Sequence, residues 1–482
     1  MGFAPFAIDP ARHVLVRDGK DVALSPHLVD ILWFLASQRG NVVSKDTLLE
    51  RFWPDVHITE NTLTRAIADI RKTLGDDSTS PTYIQTVARR GYRFVAAVET
   101  PAPTEPLDPF RDWSRGRLSL ETLDPTRLPE AVASFQTAIA RTPDYAPAHA
   151  GLANAYFLQH QCTRAQNSPD RAALMRAIDS ARKASTLDPS LGEAWATLAF
   201  ALAADGDGNQ ARAAARHATA LEPTSWRHHF RLAVVSWGEE RLREVDRTLG
   251  LLPDFAPARF LSAMVFIARQ ATTPALAAAA AGAAAQSRQV TGASALFPAF
   301  GLHWLHGLLL LREGQIGAAL MAFAAEIDAA QEERIYSGEF RVNAQVGAGY
   351  AHLAADDAAG AADAFRIALE TLPRNGRALV GLYQALRHTS LATEAAQLLP
   401  QIDAVIHELA NARRFGEAAL IRAAVAAAQG DVTTGCVTLQ QLLNHAPAGQ
   451  TGWLLPIDPA LAPLRSAPAF ERLTAQLAAR AA

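Results

Sequence analysis

Apolar residues in the first hundred positions recur with two different periods. Alternation of apolar and polar residues predicts short strands at 6–8, 13–16 and 22–24. Helical spacing of four leucine and isoleucine residues then predicts a first helix, which Ser25-Pro26 opens and Gly40 follows. The region therefore begins with strands and turns helical at about residue 26.

Two further helices and a hairpin complete this region. A second helix begins at Ser44 and ends before Trp53-Pro54, and a third runs from about 59 to 74. Runs rich in β-branched and aromatic residues at 83–87 and 92–95 are joined by Ala-Arg-Arg-Gly, which predicts a hairpin. The order of elements is strands, three helices and a closing hairpin.

The third helix has two chemically different faces. Its large apolar residues fall within about 60° of one another on a helical wheel, and they are Leu63, Ile67, Ile70 and Leu74. The opposite face carries Asn61, Arg65 and Lys72, with Ala68 between them. Such a helix can pack on a core and enter the major groove of DNA, where Arg pairs with guanine, Asn with adenine and Lys with phosphate. A solvated helix face is the simpler alternative.

The hairpin adds positive charge to the same region. Arg89 and Arg90 lie at its predicted tip, where cations reach phosphates or the minor groove. From residue 61 to 93 the chain has six Lys and Arg against three Asp, although the net charge of all 482 residues is −3. A DNA-binding interpretation therefore depends on local arrangement and not on overall basicity.

Several motifs here resemble the OmpR/PhoB-type winged-helix family. The matching segments are Gly40-Asn-Val-Val-Ser44, Leu48-Leu49, Trp53, Ile70-Arg-Lys-Thr-Leu-Gly-Asp76, Tyr83-Ile-Gln-Thr-Val87 and Arg90-Gly-Tyr-Arg-Phe94. The resemblance covers residues 3–97 and implies a winged helix-turn-helix that binds double-stranded DNA. With two more polar residues of the third helix, the predicted DNA-binding set is Asn61, Thr62, Arg65, Arg71, Lys72, Thr86, Arg89 and Arg90.

The third helix departs from the family pattern at two positions. Ala68 and Asp69 stand where family members often carry Arg, so the predicted base-reading set is smaller and the preferred operator does not carry over. The first strand begins within six residues of Met1, so we expect no receiver domain before it and no control by aspartyl phosphorylation.

A proline-rich segment precedes a repetitive, helical remainder. Four prolines within residues 101–109 predict a semi-rigid linker over 99–112. Residues 113–482 then repeat a spacing of +4, +3 and +5 that ends in Pro. The four clear copies are Ala131-Phe135-Ala138-Pro143, Ala177-Ala181-Ala184-Pro189, Ala211-Ala215-Ala218-Pro223 and Ala361-Phe365-Ala368-Pro373, and a weaker one is Val245-Leu249-Leu252-Pro257.

This spacing resembles the tetratricopeptide repeat, in which small residues let paired helices pack closely. It implies a superhelix that binds peptides, proteins or small ligands, with 453–465 and 470–479 as a capping segment. The predicted fold is an α+β winged helix-turn-helix domain at 1–98 followed by an all-α tetratricopeptide-repeat superhelix at 113–482. This layout resembles one-component bacterial regulators of the HilA type.

Composition argues against several other classes of protein. Two cysteines, Cys162 and Cys436, fit a reducing cytoplasm, and no apolar stretch reaches the roughly 20 residues that a bilayer requires. Asp205-Gly-Asp-Gly-Asn209 lacks the Gly and Glu of a calcium-binding loop, and the His pairs at 228/229 and 303/306 lack further ligands. Neither a P-loop nor a nucleophile elbow occurs. We predict a cytoplasmic, non-enzymatic protein with no cofactor and no metal.

The sequence therefore predicts a sequence-specific, double-stranded-DNA-binding transcriptional regulator. Its repeats are expected to bind an effector, a homo-oligomeric mate or the transcription machinery, RNA polymerase included. The alternative is a non-enzymatic adaptor in which the winged helix and the repeats both contact proteins. Duplex binding by residues 1–98 at low salt distinguishes the two hypotheses.

Overall fold

The computed structural model describes residues 2–9, 14–17, 20–22, 24–38, 40–52, 60–88, 90–98, 108–121, 123–291, 299–331, 333–447 and 449–482. The chain divides into two compact units, 1–108 and 109–482. The helix stop predicted at Trp53-Pro54, the hairpin residue Arg89 and residues 99–107 of the predicted linker lie outside the described residues.

The N-terminal unit combines two small antiparallel sheets with three helices. The first sheet has the order β1 (Gly2–Phe3), β2 (Phe6–Asp9), β3 (Val14–Arg17) and β4 (Lys20–Val22). The helices are α1 (Pro26–Ser37), α2 (Lys45–Phe52) and α3 (Glu60–Leu74), and the second sheet consists of β5 (Val42–Val43), β6 (Ile84–Val87) and β7 (Gly91–Phe94), with β7 in the centre. This arrangement confirms the predicted winged helix-turn-helix. The two-residue strands β1 and β5 have no periodic pattern that could predict them.

Side-chain caps and glycines set the ends of these helices. Ser25 Oγ accepts a hydrogen bond from the backbone N–H of Leu28 at 3.4 Å, and Ser44 Oγ accepts one from Thr47 at 3.0 Å. Gly75 follows α3 with φ +68°, a left-handed conformation that glycine adopts without strain. The predicted starts of α1 and α2 and the predicted end of α3 are therefore confirmed.

An aromatic cluster joins the first sheet to the closing hairpin. The ring of Phe3 lies 5.0 Å from that of Phe94 and 5.6 Å from that of Tyr83, and Phe6 lies 5.7 Å from Tyr83. These rings share a core with the apolar stripes of α1 and α3. Edge-on ring pairs of this kind add to the stability from buried area. The core thus fixes α3 and the β6–β7 hairpin on one small scaffold.

The C-terminal unit consists of helices that pack as consecutive pairs. In chain order the first pair is α4 (Asp108–Glu121) with α5 (Leu128–Arg141), which Phe135 against Gly116 and the Arg141–Asp112 ion pair join. The others are α6 (Ala146–Thr163) with α7 (Arg171–Leu187), α8 (Gly192–Asp205) with α9 (Gly208–Leu221), α10 (Trp226–Val235) with α11 (Gly238–Leu251), α12 (Ala256–Ala268) with α13 (Thr272–Thr291), α14 (Leu302–Arg312) with α15 (Ile316–Ala329), α16 (Ser337–Ala354) with α17 (Ala358–Thr371), α18 (Gly376–Leu386) with α19 (Ala392–Asn411) and α20 (Phe415–Gln429) with α21 (Val432–His445). A final helix, α22, spans Pro468–Ala481. The predicted all-α tetratricopeptide-type fold is confirmed. Helix α4 begins within the segment predicted as linker.

In three helix pairs, a phenylalanine ring packs against glycines of the neighbouring helices. The ring of Phe135 on α5 lies against Gly116 on α4 and Gly151 on α6, where a Cβ atom would overlap the ring. Phe365 on α17 lies in the same way against Gly349 and Gly381. A bulky residue on the second helix of a pair thus fills the space left by glycines on two successive first helices. The pattern also occurs at Phe323 on α15, between Gly307 and Gly347.

One predicted register is wrong. Helix α11 ends at Leu251 and Pro253 follows its capping residue, so Pro253 and not Pro257 corresponds to the closing proline of the clear copies. The preceding repeat positions are then Arg241, Val245 and Thr248, all buried. Arg241 stands where the clear copies have alanine, and this large polar residue hides the repeat from a search for small residues.

The C-terminal segment, residues 449–482, does more than cap the last pair. The first helices of successive pairs contact one another and form a row, and this segment contacts α12, α14, α16, α18 and α20 along it. The ring of Trp453 lies 6.0 Å from that of Phe260 on α12, and the Asp458 carboxylate pairs with Arg377 on α18. The C-terminal segment is thus part of the core of the unit.

Candidate nucleic-acid interface

Helix α3 buries one face and exposes the other, as its sequence predicts. Leu63, Ile67, Ile70 and Leu74 are all buried, and they belong to the core of the N-terminal unit. Thr62, Arg65 and Lys72 are exposed on the opposite side, together with Ala68. Asn61 lies in the first turn of α3, but its side chain is outside the described part. The polar face therefore presents two cations and a hydroxyl to solvent.

Arg71 connects the last turn of α3 to the hairpin. Its Nη2 donates to the backbone carbonyl of Ile84 at 2.7 Å and to Thr86 Oγ1 at 2.9 Å. Arg71 is half-buried, whereas Thr86 on β6 is exposed. Two residues of the predicted DNA-binding set are thus brought together by a direct hydrogen bond. Sequence spacing does not predict this contact, because the two residues lie on different elements.

Asp76 makes a second connection between the same elements. Its carboxylate accepts hydrogen bonds from the backbone N–H groups of Thr82 at 2.6 Å, Tyr83 at 3.1 Å and Ile84 at 2.8 Å. Its own N–H donates to the carbonyl of Arg71 at 2.9 Å. Asp76 therefore fixes the start of β6 against the end of α3. It is absent from the predicted site, although the Gly75-Asp76 pair directly after the helix is a signal that could have identified it.

The hairpin turn is shaped by Gly91. Its φ is +139°, and a Cβ atom at this position would overlap the carbonyl oxygen of Val43 on β5. Only glycine lets β7 approach β5 so closely. Arg90 precedes it in the turn, is exposed, and its N–H donates to the carbonyl of Val87 at 3.0 Å. The turn therefore presents the Arg90 side chain to solvent.

Three cations of the predicted set have no side-chain partner in the part of the unit that the structure describes. Among the described residues, no hydrogen bond or ion pair engages the side chains of Arg65, Lys72 or Arg90. Arg71 is different, because its guanidinium is already hydrogen-bonded to β6. The site therefore combines cations available to an external anion with one cation that fixes the hairpin.

The C-terminal unit holds its charged interior residues in structural contacts. Arg241 donates to the carbonyls of Ala233 and Val234, both at 2.9 Å, and to Gln450 Oε1 of the C-terminal segment. Burial lowers the pKa of Arg241 to about 9. Glu326 accepts hydrogen bonds from the backbone N–H groups of Gly301 and Trp304 at the start of α14, and burial raises its pKa. Both residues stabilise helix ends inside the stack.

Two further structural findings bear on function. Within the described part of the chain, no three or more His, Cys, Asp and Glu residues are grouped so as to hold a metal ion. No described helix combines the length and the apolar character that crossing a membrane demands. Asp207 belongs to the segment 205–209, whose sequence does not fit a calcium-binding loop. Its carboxylate accepts a hydrogen bond from the N–H of Gln210 at 3.0 Å and so caps α9.

Comparison with known proteins places the N-terminal unit. Residues 19–94 match the family model described as "Transcriptional regulatory protein, C terminal". The transcriptional activator CadC of Escherichia coli is 37% identical over 92 residues, which are 19% of this chain and 18% of CadC. The transcriptional regulator HilA of Salmonella typhimurium is 39% identical over 92 residues, 18% of this chain and 16% of HilA. The chain thus matches less than a fifth of the length of these two relatives.

Solved structures resemble the two units separately. The DNA-binding domain of E. coli CadC is 33% identical, and the match covers 20% of this chain and 91% of the CadC domain, with a TM-score of 0.19. The structure of yeast Tom70 is 13% identical, and the match covers 76% of this chain and 91% of the Tom70 chain, with a TM-score of 0.37. The family match, the element order and the two faces of α3 agree: the N-terminal unit of this chain is a winged-helix domain of the OmpR/PhoB type.

Proposed function

We propose that this protein is a transcriptional regulator that binds specific sequences of double-stranded DNA through its N-terminal unit. The observation that carries the proposal is the exposed face of α3, where Arg65 and Lys72 have no partner among the described residues and the opposite face is buried. Arg90 adds a third available cation on the hairpin. Cations that lack internal partners can neutralise phosphates without breaking existing contacts. The two relatives named above are transcriptional regulators, which supports the same proposal.

The proposed roles follow from the position of each side chain. Arg65, in the middle of the exposed face, reads base edges, with Asn61 and Thr62 beside it at the start of the helix. Lys72 and Thr86 bind phosphates. Arg89 and Arg90 reach the phosphates or the adjacent minor groove from the hairpin. Arg71, which is hydrogen-bonded to β6, completes the set.

The C-terminal unit is proposed to carry the regulatory input. Stacked helix pairs present large surfaces to proteins, peptides or small ligands. We propose that its partner is an effector, a second copy of the chain or the transcription machinery, RNA polymerase included. The proposal includes no enzymatic step for this unit.

Sequencing the DNA fragments that co-purify with the full-length protein tests this function. The proposal predicts that the fragments share a common sequence and that Arg65→Ala weakens binding to that sequence more than binding to random duplex. Thr224→Ala, on an exposed turn of the C-terminal unit, is the matched control. Equal losses on both probes would reject base reading by Arg65. Failure of the wild-type protein to bind any duplex at low salt would favour the adaptor alternative.

A further inference from the structure

A direct contact joins α3 to β6. The role that we infer for it depends on the proposed binding of DNA. Arg71 is the only one of the four described cations in the predicted set whose guanidinium is bonded within the unit. It reaches across to two acceptors on β6, a backbone carbonyl and the hydroxyl of Thr86. A hydroxyl oxygen can accept a hydrogen bond and still donate its own proton. The contact therefore constrains both the strand and the direction in which Thr86 donates.

We propose that Arg71 is a positioning residue, which holds the hairpin against α3 and orients the Thr86 hydroxyl as a hydrogen-bond donor to a DNA phosphate. Thr86 is exposed and its Oγ1 accepts from Arg71, which leaves the hydroxyl hydrogen for an acceptor outside the unit. The positive charge of Arg71 polarises this hydroxyl, because hydrogen bonds in series strengthen one another. Arg71 thus acts on DNA through Thr86 and through the position of the hairpin.

The carboxylate of Asp76 makes this arrangement rigid. It binds three backbone N–H groups just before Thr86, while its own N–H is bonded to the Arg71 carbonyl. The last turn of α3 and the start of β6 are therefore joined by the Asp76 carboxylate as well as by the Arg71 guanidinium. A pair of elements held in this way reaches two phosphate positions with a fixed separation, one from Lys72 on α3 and one from Thr86 on β6.

The test measures binding of the full-length protein to a random-sequence duplex of about 30 base pairs over a series of salt concentrations. Arg71→Lys keeps the charge, but the shorter lysine side chain does not place its ammonium where Arg71 Nη2 serves both acceptors. We expect about tenfold weaker binding with an unchanged salt dependence. Lys72→Ala is the matched contrast, because losing a direct phosphate contact lowers the slope of log K against log salt by about 0.9.

Variants at Thr86 complete a double-mutant cycle. Thr86→Val should weaken binding about as much as Arg71→Lys, roughly tenfold, whereas Thr86→Ser should bind like the wild type because it keeps the hydroxyl. The double variant Arg71→Lys/Thr86→Val should be no weaker than either single variant. In the absence of DNA, Arg71→Lys should speed amide hydrogen exchange on β6, and this readout also shows that the variant is folded.

Each outcome has one interpretation. Wild-type affinity for Arg71→Lys, or losses that add in the double variant, would overturn the positioning role while leaving the proposed function intact. A salt slope reduced in Arg71→Lys would instead assign Arg71 a direct phosphate contact and equally reject the proposal. If the wild-type protein binds no duplex at low salt, the proposed function fails first and this inference fails with it.

Discussion

Two buried charged residues occupy repeat positions that elsewhere hold small side chains. Arg241 takes the first such position on α11, and Glu326 takes the third on α15, three residues after Phe323. Each residue has hydrogen bonds to backbone groups at a helix end, besides its side-chain partners Gln450 and Gln286. A sequence search based on small residues therefore misses these two repeats, although their packing is the same.

Glu326 makes the stability of the C-terminal unit depend on pH. Burial raises its pKa in the folded state above the unfolded value of about 4.3, so the folded state binds the proton more tightly. The contribution of this group to stability is complete below the unfolded pKa and is lost as pH rises through the folded pKa. We expect the free energy of unfolding of the wild type, relative to Glu326→Gln, to fall as pH increases from about 4.

Urea unfolding at several pH values measures this difference, because the other titrating groups cancel between the two proteins. Glu370→Gln on the exposed side of α17 is the control and should show no such trend. A difference between wild type and Glu326→Gln that does not vary with pH would contradict the assignment.

Gly91 shows how one backbone position determines the hairpin. We expect Gly91→Ala to break the pairing of β5 with β7, because the new Cβ overlaps the Val43 carbonyl oxygen. Gly40→Ala is the matched control: it has φ +83° and open space around it, so it should cost only the strain of a positive φ, about 1–3 kcal/mol. Hydrogen exchange of the β5 and β7 amides distinguishes the two variants, because only Gly91→Ala should lose their protection. Equal protection of β7 in both variants would disprove the steric argument.

At the scale of the element, helix α3 is where sequence and structure agree best. A strong helical period, with four large apolar residues on one face, predicts both the helix and its buried side. The period carries no information on contacts between elements. The Arg71 and Asp76 bonds to β6 therefore depend on the tertiary structure, and sequence reasoning treats Arg71 as one more available cation.

The exposed face of α3 offers a direct test by gain of charge. Ala68 is exposed between the polar residues of this face. We expect Ala68→Arg to tighten binding to random-sequence duplex and to steepen the salt dependence by about 0.9 in slope. Ala220→Arg adds the same charge to the exposed side of α9 and serves as control. An unchanged slope for Ala68→Arg would place this face away from DNA.

At the scale of the whole molecule, the C-terminal segment joins repeats that are distant in sequence. Arg269, the capping residue after α12, donates to the Ala481 carbonyl at 2.8 Å, while Asp458 pairs with Arg377 on α18. Leu461, Leu464 and other apolar side chains of the segment are almost completely buried. The repeat spacing predicts the helix pairs, but a segment without the repeat pattern gives no sign of where it lies. Its path along the first helices could not be read from sequence.

The Asp458 pair tests the contribution of this segment to stability. Its carboxylate is 6% exposed and Arg377 is 30% exposed. We expect Asp458→Asn to lower the free energy of unfolding by about 2–3 kcal/mol, less than for a fully buried pair because Arg377 keeps some water. Hydrogen exchange should increase on α12 and α18 together. Asp403→Asn, exposed on α19, is the control, and equal stability of both variants would argue against a structural role.

We propose that the winged-helix unit binds duplex DNA with the exposed cations of α3 and the hairpin. The most direct measurement is the affinity of the full-length protein for random-sequence duplex as a function of salt, for the wild type and for the triple variant Arg65→Ala/Lys72→Ala/Arg90→Ala. The account predicts wild-type binding that weakens linearly in log K against log salt, with a slope smaller by about 2–3 in the triple variant. Equal binding by the two proteins, or no binding by the wild type at low salt, would contradict it.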